Sequence, residues 1–108
     1  MNPVVVITTC PKGQGDKLKE KIVKRKLGAC VSIFQVKSTY WWQDNITSDN
    51  EDMLIIKTLD EKLEALFGLF KEIHPYTVPE FIVIPVKIVG PYLKWLKEVL
   101  TENPQNKT

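Results

Sequence analysis

Side chains that could bind a transition metal are few in this chain, and they are widely spaced. The 108 residues include two cysteines, two methionines and one histidine, and copper prefers thiolate, thioether and imidazole ligands. Cys10, Cys30 and His74 form no CxxC, HxxxH or Cys-His pattern at ligand spacing. A single histidine also leaves no set of the Ser-His-Asp or Cys-His kind, so we predict that the protein is not an enzyme.

A lysine, a glutamate and three aromatic residues form a second candidate site. Lys57 and Glu80 stand at the ends of predicted strands, and a paired lysine and glutamate in a cleft can shift each other's pKa for acid–base chemistry. We favour the simpler interpretation, a structural ion pair at a subunit interface. Tyr40, Trp42 and Tyr76 would line the same pocket between subunits, where aromatic side chains are common.

Charge and hydropathy exclude two classes of partner. The chain carries 15 basic and 13 acidic side chains, and its net charge of +2 is too small to predict nucleic-acid binding. No apolar run approaches the ~20 residues that span a bilayer, so we predict no membrane partner. No basic segment precedes the short apolar run Val4–Ile7, so we expect no signal peptide. We therefore expect a cytoplasmic protein in which Cys10 and Cys30 are free thiols.

The first half of the chain predicts two strands and a helix. Val4–Thr9 is a continuous apolar, β-branched run, which indicates a central strand covered on both faces. Asp16 can cap a helix that runs to about Leu27, with Gly28 as a left-handed residue after its end. Cys30–Trp42 is rich in β-branched and aromatic residues, which predicts a long strand that ends in a tight turn.

The middle of the chain predicts another strand and another helix. The polar Ser48–Asn50 segment suggests a bulge on the returning strand. Met53–Ile56 is apolar throughout and predicts a second central strand. Thr58 and Glu61 match a capping box at the start of a helix whose apolar residues recur at i, i+3, i+4 and i+7.

The C-terminal part predicts one more strand and a short helix. Apolar residues alternate over Phe81–Val89, and Pro85 lacks an N–H, which places this strand at a sheet edge or a bulge. A short helix then runs to about Leu100. We therefore predict a single domain over residues 1–108 that is ordered from about 3 to 100, with residues 101–108 as a frayed polar tail.

The predicted order β-α-β-β-α-β plus a helix is typical of the ferredoxin-like split βαβ fold, an α+β arrangement. Right-handed crossovers put both main helices on one face of an antiparallel sheet, with the first and third strands central. The other sheet face and both edge strands would stay uncovered. Exposed edges and apolar faces favour association, so we predict that copies of the chain assemble with closed symmetry.

Several short segments, taken together in their order, resemble one known family from Val4 to about Leu100. They are Leu27-Gly28-Ala29-Cys30-Val31, Tyr40-Trp41-Trp42, Leu54-Ile55-Ile56-Lys57-Thr58, His74-Pro75-Tyr76 with Val78-Pro79-Glu80, and Tyr92-Leu93-Lys94-Trp95-Leu96. Each segment alone is weak, but their joint order and spacing are specific. On these residues the chain resembles CutA, the divalent-cation tolerance family.

The resemblance implies a ferredoxin-like domain assembled as a compact homotrimer, with the sheets facing the trimer centre and the long strands paired with neighbours. It also implies a cytoplasmic protein associated with tolerance to copper and other divalent cations. A structural likeness to the trimeric PII nitrogen-signalling proteins belongs to the same family picture.

The resemblance also implies where a metal could bind. Some family members have been given a copper site from a thiol at the end of the first strand and two adjacent histidines before the Pro-Tyr. The matching residues here are Thr8, Ile73 and His74, so His74 alone is retained. Cys10 points to the same side of an extended strand as Thr8 and could replace the thiol. His74 and Cys10 are thus the predicted ligands for copper or another divalent cation.

Ordinary structural roles for these two residues stay open beside the metal site. A histidine at the C-terminus of a helix interacts well with the helix dipole, as His74 would. A buried cysteine such as Cys10 behaves as a small hydrophobic residue.

Three functions follow from the sequence. The first is a CutA-like homotrimer linked to divalent-metal tolerance that acts by binding. The second is a PII-like signalling trimer that binds a small metabolite in clefts between subunits. The third is a trimeric scaffold that presents a surface to partner proteins.

Overall fold

The computed structural model describes residues 1–101, and the tail predicted to fray lies outside the described residues from position 102 onward. The element order confirms the predicted βαββαβ pattern with an added helix. The elements are β1 (Pro3–Pro11), α1 (Gly15–Lys24), β2 (Cys30–Trp42), β3 (Asn45–Leu59), a 3-10 turn (Asp60–Lys62), α2 (Leu63–Ile73), β4 (Ile82–Pro85) and α3 (Pro91–Thr101).

The four strands form one antiparallel sheet in the order β2-β3-β1-β4. The two strands with unbroken apolar runs, β1 and β3, are therefore central, as predicted. Val6 pairs with Ile56 and Thr8 with Leu54, and all four side chains are fully buried.

One sheet face carries the main core beneath α1 and α2, because both helices have an apolar stripe at helical spacing. Fully or nearly fully buried side chains from β1, β3, α1 and α2 form this core: Val6, Cys10, Leu18, Ile22, Leu54, Ile56, Leu66, Leu69 and Phe70. Burying each of the larger ones stabilises the fold by about 1.5–3 kcal/mol before entropic costs.

The third helix covers one end of the opposite face. Leu96 and Leu100 of α3 bury Leu59, and the Lys57 ammonium lies 6.0 Å from the centre of the Tyr92 ring. Within residues 1–101, the rest of that face carries no helix. We call it the open face, and strand alternation assigns to it Val5, Ile7, Phe34, Met53, Ile55, Ile82 and Ile84.

The end of the first helix differs from the prediction. Helix α1 ends at Lys24 rather than Leu27, and Lys26 instead of Gly28 takes the left-handed conformation, with φ of 56°. Gly28 is required for close approach instead. A Cβ there would lie 2.7 Å from Ile56 Cγ2 and 2.9 Å from Ile22 Cγ2.

The predicted capping box at Thr58 and Glu61 is wrong. Thr58 belongs to β3 and is fully buried, where its hydroxyl donates a hydrogen bond of 2.7 Å to the Leu27 carbonyl. Helix α2 begins at Leu63 without a side-chain cap. The demand of a buried hydroxyl for a partner explains the difference.

The predicted bulge at Ser48–Asn50 is also wrong, because the β2–β3 ladder is unbroken from the Trp42–Asn45 pair to the Cys30–Lys57 pair. Gln43 and Asp44 both have positive φ, 50° and 65°. Two successive residues of this kind make a two-residue hairpin turn whose twist matches the strands.

The last strand is shorter than Phe81–Val89. Only Ile82–Pro85 forms the ladder with β1, and one further hydrogen bond of 3.3 Å runs from the Val86 N–H to the Pro3 carbonyl. Phe81 packs instead against Phe67 and Phe70, at ring-centre distances of 5.1 and 5.2 Å. No helix in residues 1–101 is long and apolar enough to cross a membrane.

Candidate functional site

A pocket of about 520 Å³ opens at the end of the sheet far from α3. One wall is the outer part of the β2–β3 hairpin, and the other is the segment between α2 and β4. The lining residues are Thr9, Ser38, Thr39, Tyr40, Trp42, Glu51, Pro75, Tyr76, Thr77, Val78 and Glu80. Four of the five residues singled out from the sequence for a pocket, Tyr40, Trp42, Tyr76 and Glu80, are thus among them.

Strand alternation aims the hairpin residues at this pocket. Tyr40 and Trp42 are two apart on β2 and share one side of the hairpin. Glu51 lies across from Val36 and Pro11 on its neighbouring strands, which gives it the same side. The pocket is therefore a continuation of the open face.

His74 fixes the second wall. Its Nδ1 accepts a hydrogen bond of 3.1 Å from the Tyr76 backbone N–H. The neutral ring therefore carries its proton on Nε2, and Nε2 donates to Thr8 Oγ1 at 3.2 Å. Burial lowers the pKa of His74, only partly offset by a hydrogen bond to the Thr9 backbone. The ring also packs against Phe70 in a tilted arrangement, with ring centres 5.3 Å apart. His74 therefore anchors the segment after α2 to β1.

Carboxyl and phenol groups dominate the polar part of the pocket. The Tyr76 hydroxyl donates a 2.5 Å hydrogen bond to Glu51, and burial followed by this bond raises the pKa of Tyr76. Burial, and then the charge of Glu51, raises the pKa of Glu80. The Tyr40 hydroxyl donates to Asp49. That bond is the main cause of the raised pKa of Tyr40.

Glu51 and Asp52 are adjacent buried acids with different surroundings. Asp52 points to the helix face, where it accepts the backbone N–H groups of Gly13 and Gly15, both at 3.0 Å. Glu51 has the Tyr76 hydroxyl as its hydrogen-bond donor, and no ion pair within the described residues includes it. Asp52 is thus a structural anchor for the loop before α1, whereas Glu51 has no counter-charge among residues 1–101 of its own chain.

Lys57 lies outside the pocket. Its ammonium is 3.9 Å from the Cys30 sulfur and near the Tyr92 ring. The rise of about 3.4 Å per residue along β3 separates it from Glu51 by roughly 20 Å. Within one chain, the structure therefore does not bring Lys57 and Glu80 together. Burial, followed by the Cys30 thiol, raises the pKa of Tyr92.

The two predicted metal ligands, Cys10 on β1 and His74 directly after α2, are poorly suited to a metal. The strand stays extended to Pro11, so Cys10 projects on the same side as Thr8. Cys10 is fully buried, and burial, then Asp52 and Glu51, raises its pKa to about 11. Both ring nitrogens of His74 already have partners. Among residues 1–101, no three His, Cys, Asp or Glu side chains group at metal-binding spacing.

Comparison with known proteins gives the family. The sequence profile described as "CutA1 divalent ion tolerance protein" matches residues 4–99, nearly the whole chain. The chain belongs to the CutA1 family.

Curated CutA relatives are 31–42% identical to this chain over the aligned residues. "Protein CutA 1, chloroplastic" of Oryza sativa is 41% identical over 102 residues, which make up 93% of this chain and 58% of the relative. The divalent-cation tolerance protein CutA of Pyrococcus horikoshii is 38% identical over 97 residues, 88% of this chain and 95% of the relative. This chain spans 53–64% of the rice, Xenopus laevis and Arabidopsis thaliana relatives.

Solved CutA1 structures share the fold. The crystal structure of CutA1 from Oryza sativa matches with a TM-score of 0.88 and 40% identity over 95% of this chain and 97% of that one. CutA1 from Pyrococcus horikoshii matches with a TM-score of 0.84 and 37% identity over 89% and 96% of the two chains. These matches confirm the ferredoxin-like fold that was predicted from the sequence.

The copper ligands given to some CutA members do not fit the residues present here. A buried cysteine with a raised pKa stays a thiol, whereas copper binds a thiolate. His74 would have to release Tyr76 or Thr8 before either ring nitrogen could bind a metal. The side chains around His74 and Cys10 are therefore arranged for packing and hydrogen bonding.

The sequence analysis missed two acidic residues of this CutA1 chain, Asp49 and Glu51, which accept hydrogen bonds from Tyr40 and Tyr76. The sequence places Asp49 only within the polar Ser48–Asn50 segment of the predicted bulge, and it does not single out Glu51. The available signal was their i, i+2 spacing on the strand that pairs with the one carrying Tyr40 and Trp42, since residues two apart on a strand share one side.

Proposed function

We propose that this CutA1 chain works as a homotrimer linked to divalent-cation tolerance, acting by binding rather than by catalysis. The observation that supports assembly is the open face. Phe34, Ile82 and Ile84 on that face are 46%, 48% and 41% exposed, although each lies in a strand of an otherwise packed sheet. Contiguous exposed apolar side chains of this kind mark interaction surfaces.

The long aromatic edge strand supports the same proposal. Within the described residues, β2 pairs with β3 alone, so its other edge leaves backbone N–H and C=O groups free for a neighbour. Each 100 Å² of apolar surface buried between copies contributes about 2.5 kcal/mol before the costs of association. Closed rings of identical copies are the usual way to cover such edges.

Light scattering coupled to size exclusion tests the assembly. We expect a mass of about 37 kDa, three times the 12.4 kDa of the chain, and dissociation in Phe34→Asp or Val36→Asp, because a charge on β2 would be desolvated in the interface. Val23→Asp is the matched control, since Val23 is exposed on α1, away from the open face. A monomeric wild type, or a trimeric Phe34→Asp, would refute the proposal.

Divalent cations enter this proposal through the family and its relatives, which are named for tolerance of these ions. Copper on His74 and Cys10 is the ligand set that the sequence predicted. Calorimetric titration with CuCl2 tests it. Micromolar binding that disappears in His74→Ala supports this ligand set, and equal binding by wild type and His74→Ala contradicts it.

A PII-like binding function is the second candidate, and the pocket of about 520 Å³ favours it. Pockets of this size suit small organic molecules. Binding of an anionic metabolite through Lys57 is less well supported, because Lys57 lies outside the pocket. Titration with ATP of wild type and Lys57→Ala tests that version, and tight binding lost in Lys57→Ala would support it.

We also propose that the protein works in the cytoplasm. Both cysteines are free thiols, one buried and one half-buried, and a reducing compartment maintains that state. Cell fractionation with antibodies against the chain tests this proposal, and recovery of the protein in an oxidising compartment would contradict it.

A further inference from the structure

We propose that helix α1 docks an acidic segment of a partner protein through a row of basic side chains, Lys17, Lys21 and Arg25. This goes beyond the assembly and the metal tolerance proposed above. Helix α1 packs on the sheet face opposite the open face, so this row lies apart from the surface assigned to contacts between copies. The proposal is supported by the uneven distribution of charge along the chain, by two lysines without an ion pair, and by the unfavourable spacing of like charges on the helix.

Positive charge is concentrated in and beside α1. Residues 12–26 contain seven of the 15 basic side chains of the chain but two of its 13 acidic ones, so the other residues are net acidic. Lys17, Lys21 and Arg25 are all exposed and follow one another at intervals of four residues. Residues four apart share one face of a helix, and at 1.5 Å per residue the three span roughly 12 Å. We call this row the basic stripe.

Carboxylates of the same chain leave most of the basic stripe without a counter-charge. The two acidic residues of α1 are already paired along the helix, in the ion pairs Lys19–Asp16 and Lys24–Glu20, at 3.2 and 3.4 Å. Among residues 1–101, neither Lys17 nor Lys21 forms an ion pair. Arg25 lies 3.6 Å from Glu72 of α2, but both side chains are exposed and such a pair contributes little. The stripe is therefore open to carboxylates from outside the chain.

The basic stripe is unfavourable for the helix that carries it. Lys17 stands in the first turn of α1, at the positive end of the helix dipole, where a cation is disfavoured. Lys21 is four residues from both Lys17 and Arg25, and like charges at that spacing destabilise a helix. Local conflicts of this kind are expected at functional sites. A partner that brings carboxylates to the stripe would remove the repulsion.

An acidic protein segment fits the basic stripe better than a nucleic acid or a membrane does. Residues 12–26 contain no aromatic side chain on which a base could stack, and one arginine for bidentate recognition of phosphate. Within Gly15–Lys24, Val23 is the large apolar side chain that is exposed, which is too little to enter a lipid interface. Asp16 and Glu20 lie on the same helix and would repel a continuous row of phosphates. A protein segment can instead place carboxylates on the stripe and cations beside these two acids.

The spacing of the basic stripe matches that of a partner helix. Glutamates four residues apart on a helix are separated by about 6 Å along its axis, as are Lys17 and Lys21. Each exposed ion pair contributes little by itself, so several must form together. Salt screens exposed charges, and binding should therefore weaken as the ionic strength rises. A closed assembly would present one stripe per copy, and linked acidic segments would then bind more tightly than one alone.

Fluorescence anisotropy of a labelled alanine-based helical peptide with glutamate at every fourth position tests the proposal on the intact protein. We expect binding at low ionic strength and roughly tenfold weaker binding when Lys17→Gln and Lys21→Gln are combined, because two ion pairs are lost. Lys71→Gln combined with Lys94→Gln is the matched control. It removes the same charge from exposed positions of α2 and α3 and should bind as wild type does. In urea unfolding, the stripe variant should have a higher midpoint than wild type, because the repulsion along α1 is relieved.

Four results would overturn the proposal. The first is no binding of the peptide at low ionic strength. The second is an equal loss of affinity in both double variants, because the net charge of the chain and not the stripe would then attract the peptide. The third is equally tight binding of phosphatidylserine vesicles or of a single-stranded oligonucleotide, and the fourth is a lower urea midpoint in the stripe variant. Light scattering on the same samples reports the assembly, so peptide binding by a monomer would refute the trimer and leave the docking stripe intact.

Discussion

Replacing Gly28 by alanine tests the packing between α1 and the sheet most directly. The added methyl would lie 2.7 Å from Ile56 Cγ2 and 2.9 Å from Ile22 Cγ2, about 1 Å inside the optimal carbon–carbon separation. Both isoleucines are fully buried and cannot swing into solvent. Overpacking of this kind lowers the free energy of unfolding by about 1–3 kcal/mol. Alanine offsets about 0.4–1 kcal/mol of this loss, because it restricts the unfolded chain more than glycine does.

We therefore expect Gly28→Ala to destabilise the protein by about 1–2 kcal/mol. Gly68→Ala is the matched control, because a Cβ on Gly68 meets nothing within 4 Å and alanine is the better helix former by about 1 kcal/mol. Urea unfolding of both variants and wild type, at one fixed protein concentration, gives the comparison. If Gly28→Ala proved as stable as Gly68→Ala, the contact of α1 with β3 would be looser than described.

Two further predictions concern titrating groups. The pKa of His74 is lowered from its usual 6.5, so its contribution to stability is complete above pH 6.5 and is lost as the pH falls through the folded-state pKa. In urea unfolding, wild type should lose more stability than His74→Gln between pH 7 and pH 5. The raised pKa of Glu80 changes stability in the opposite sense, but Glu80 is present in both proteins, so its contribution cancels in the comparison. Parallel curves of stability against pH would contradict the role of His74. Cys10, buried and with a pKa of about 11, should resist iodoacetamide at pH 8 until urea unfolds the chain; rapid alkylation of folded protein, detected by peptide mass spectrometry, would contradict its burial.

The strand order could be predicted because long apolar runs are informative. Val4–Thr9 and Met53–Ile56 have no polar side to show to water, so both had to lie inside the sheet. Local motifs were less reliable. Thr58 has the residue type and spacing of a helix cap, but it lies in a buried strand whose neighbour, Leu27, offers a carbonyl. Such a tertiary contact between residues far apart in sequence leaves no local signal.

The pocket was only partly predictable, for a similar reason. Tyr40 and Trp42 could be predicted as contact residues, because large aromatic side chains on a long strand expose an apolar surface that favours a partner. The importance of Glu51 comes from its burial and from its hydrogen bond to the Tyr76 hydroxyl, and neither can be recognised from one acidic residue among polar neighbours in the sequence. The separation of Lys57 from Glu80 likewise depends on which end of the sheet each one occupies.

The reach of the β2–β3 hairpin past β1 has a dynamic consequence. Beyond the Pro11–Glu51 pair, the ladder consists of two strands alone, and a two-stranded ribbon is only marginally stable in water. In a free chain, the backbone amides from Lys37 to Trp42 should therefore exchange with deuterium sooner than those of β1. Since Tyr40 and Trp42 stand on this ribbon, an occupant of the pocket would slow that exchange and could be detected without a signal of its own.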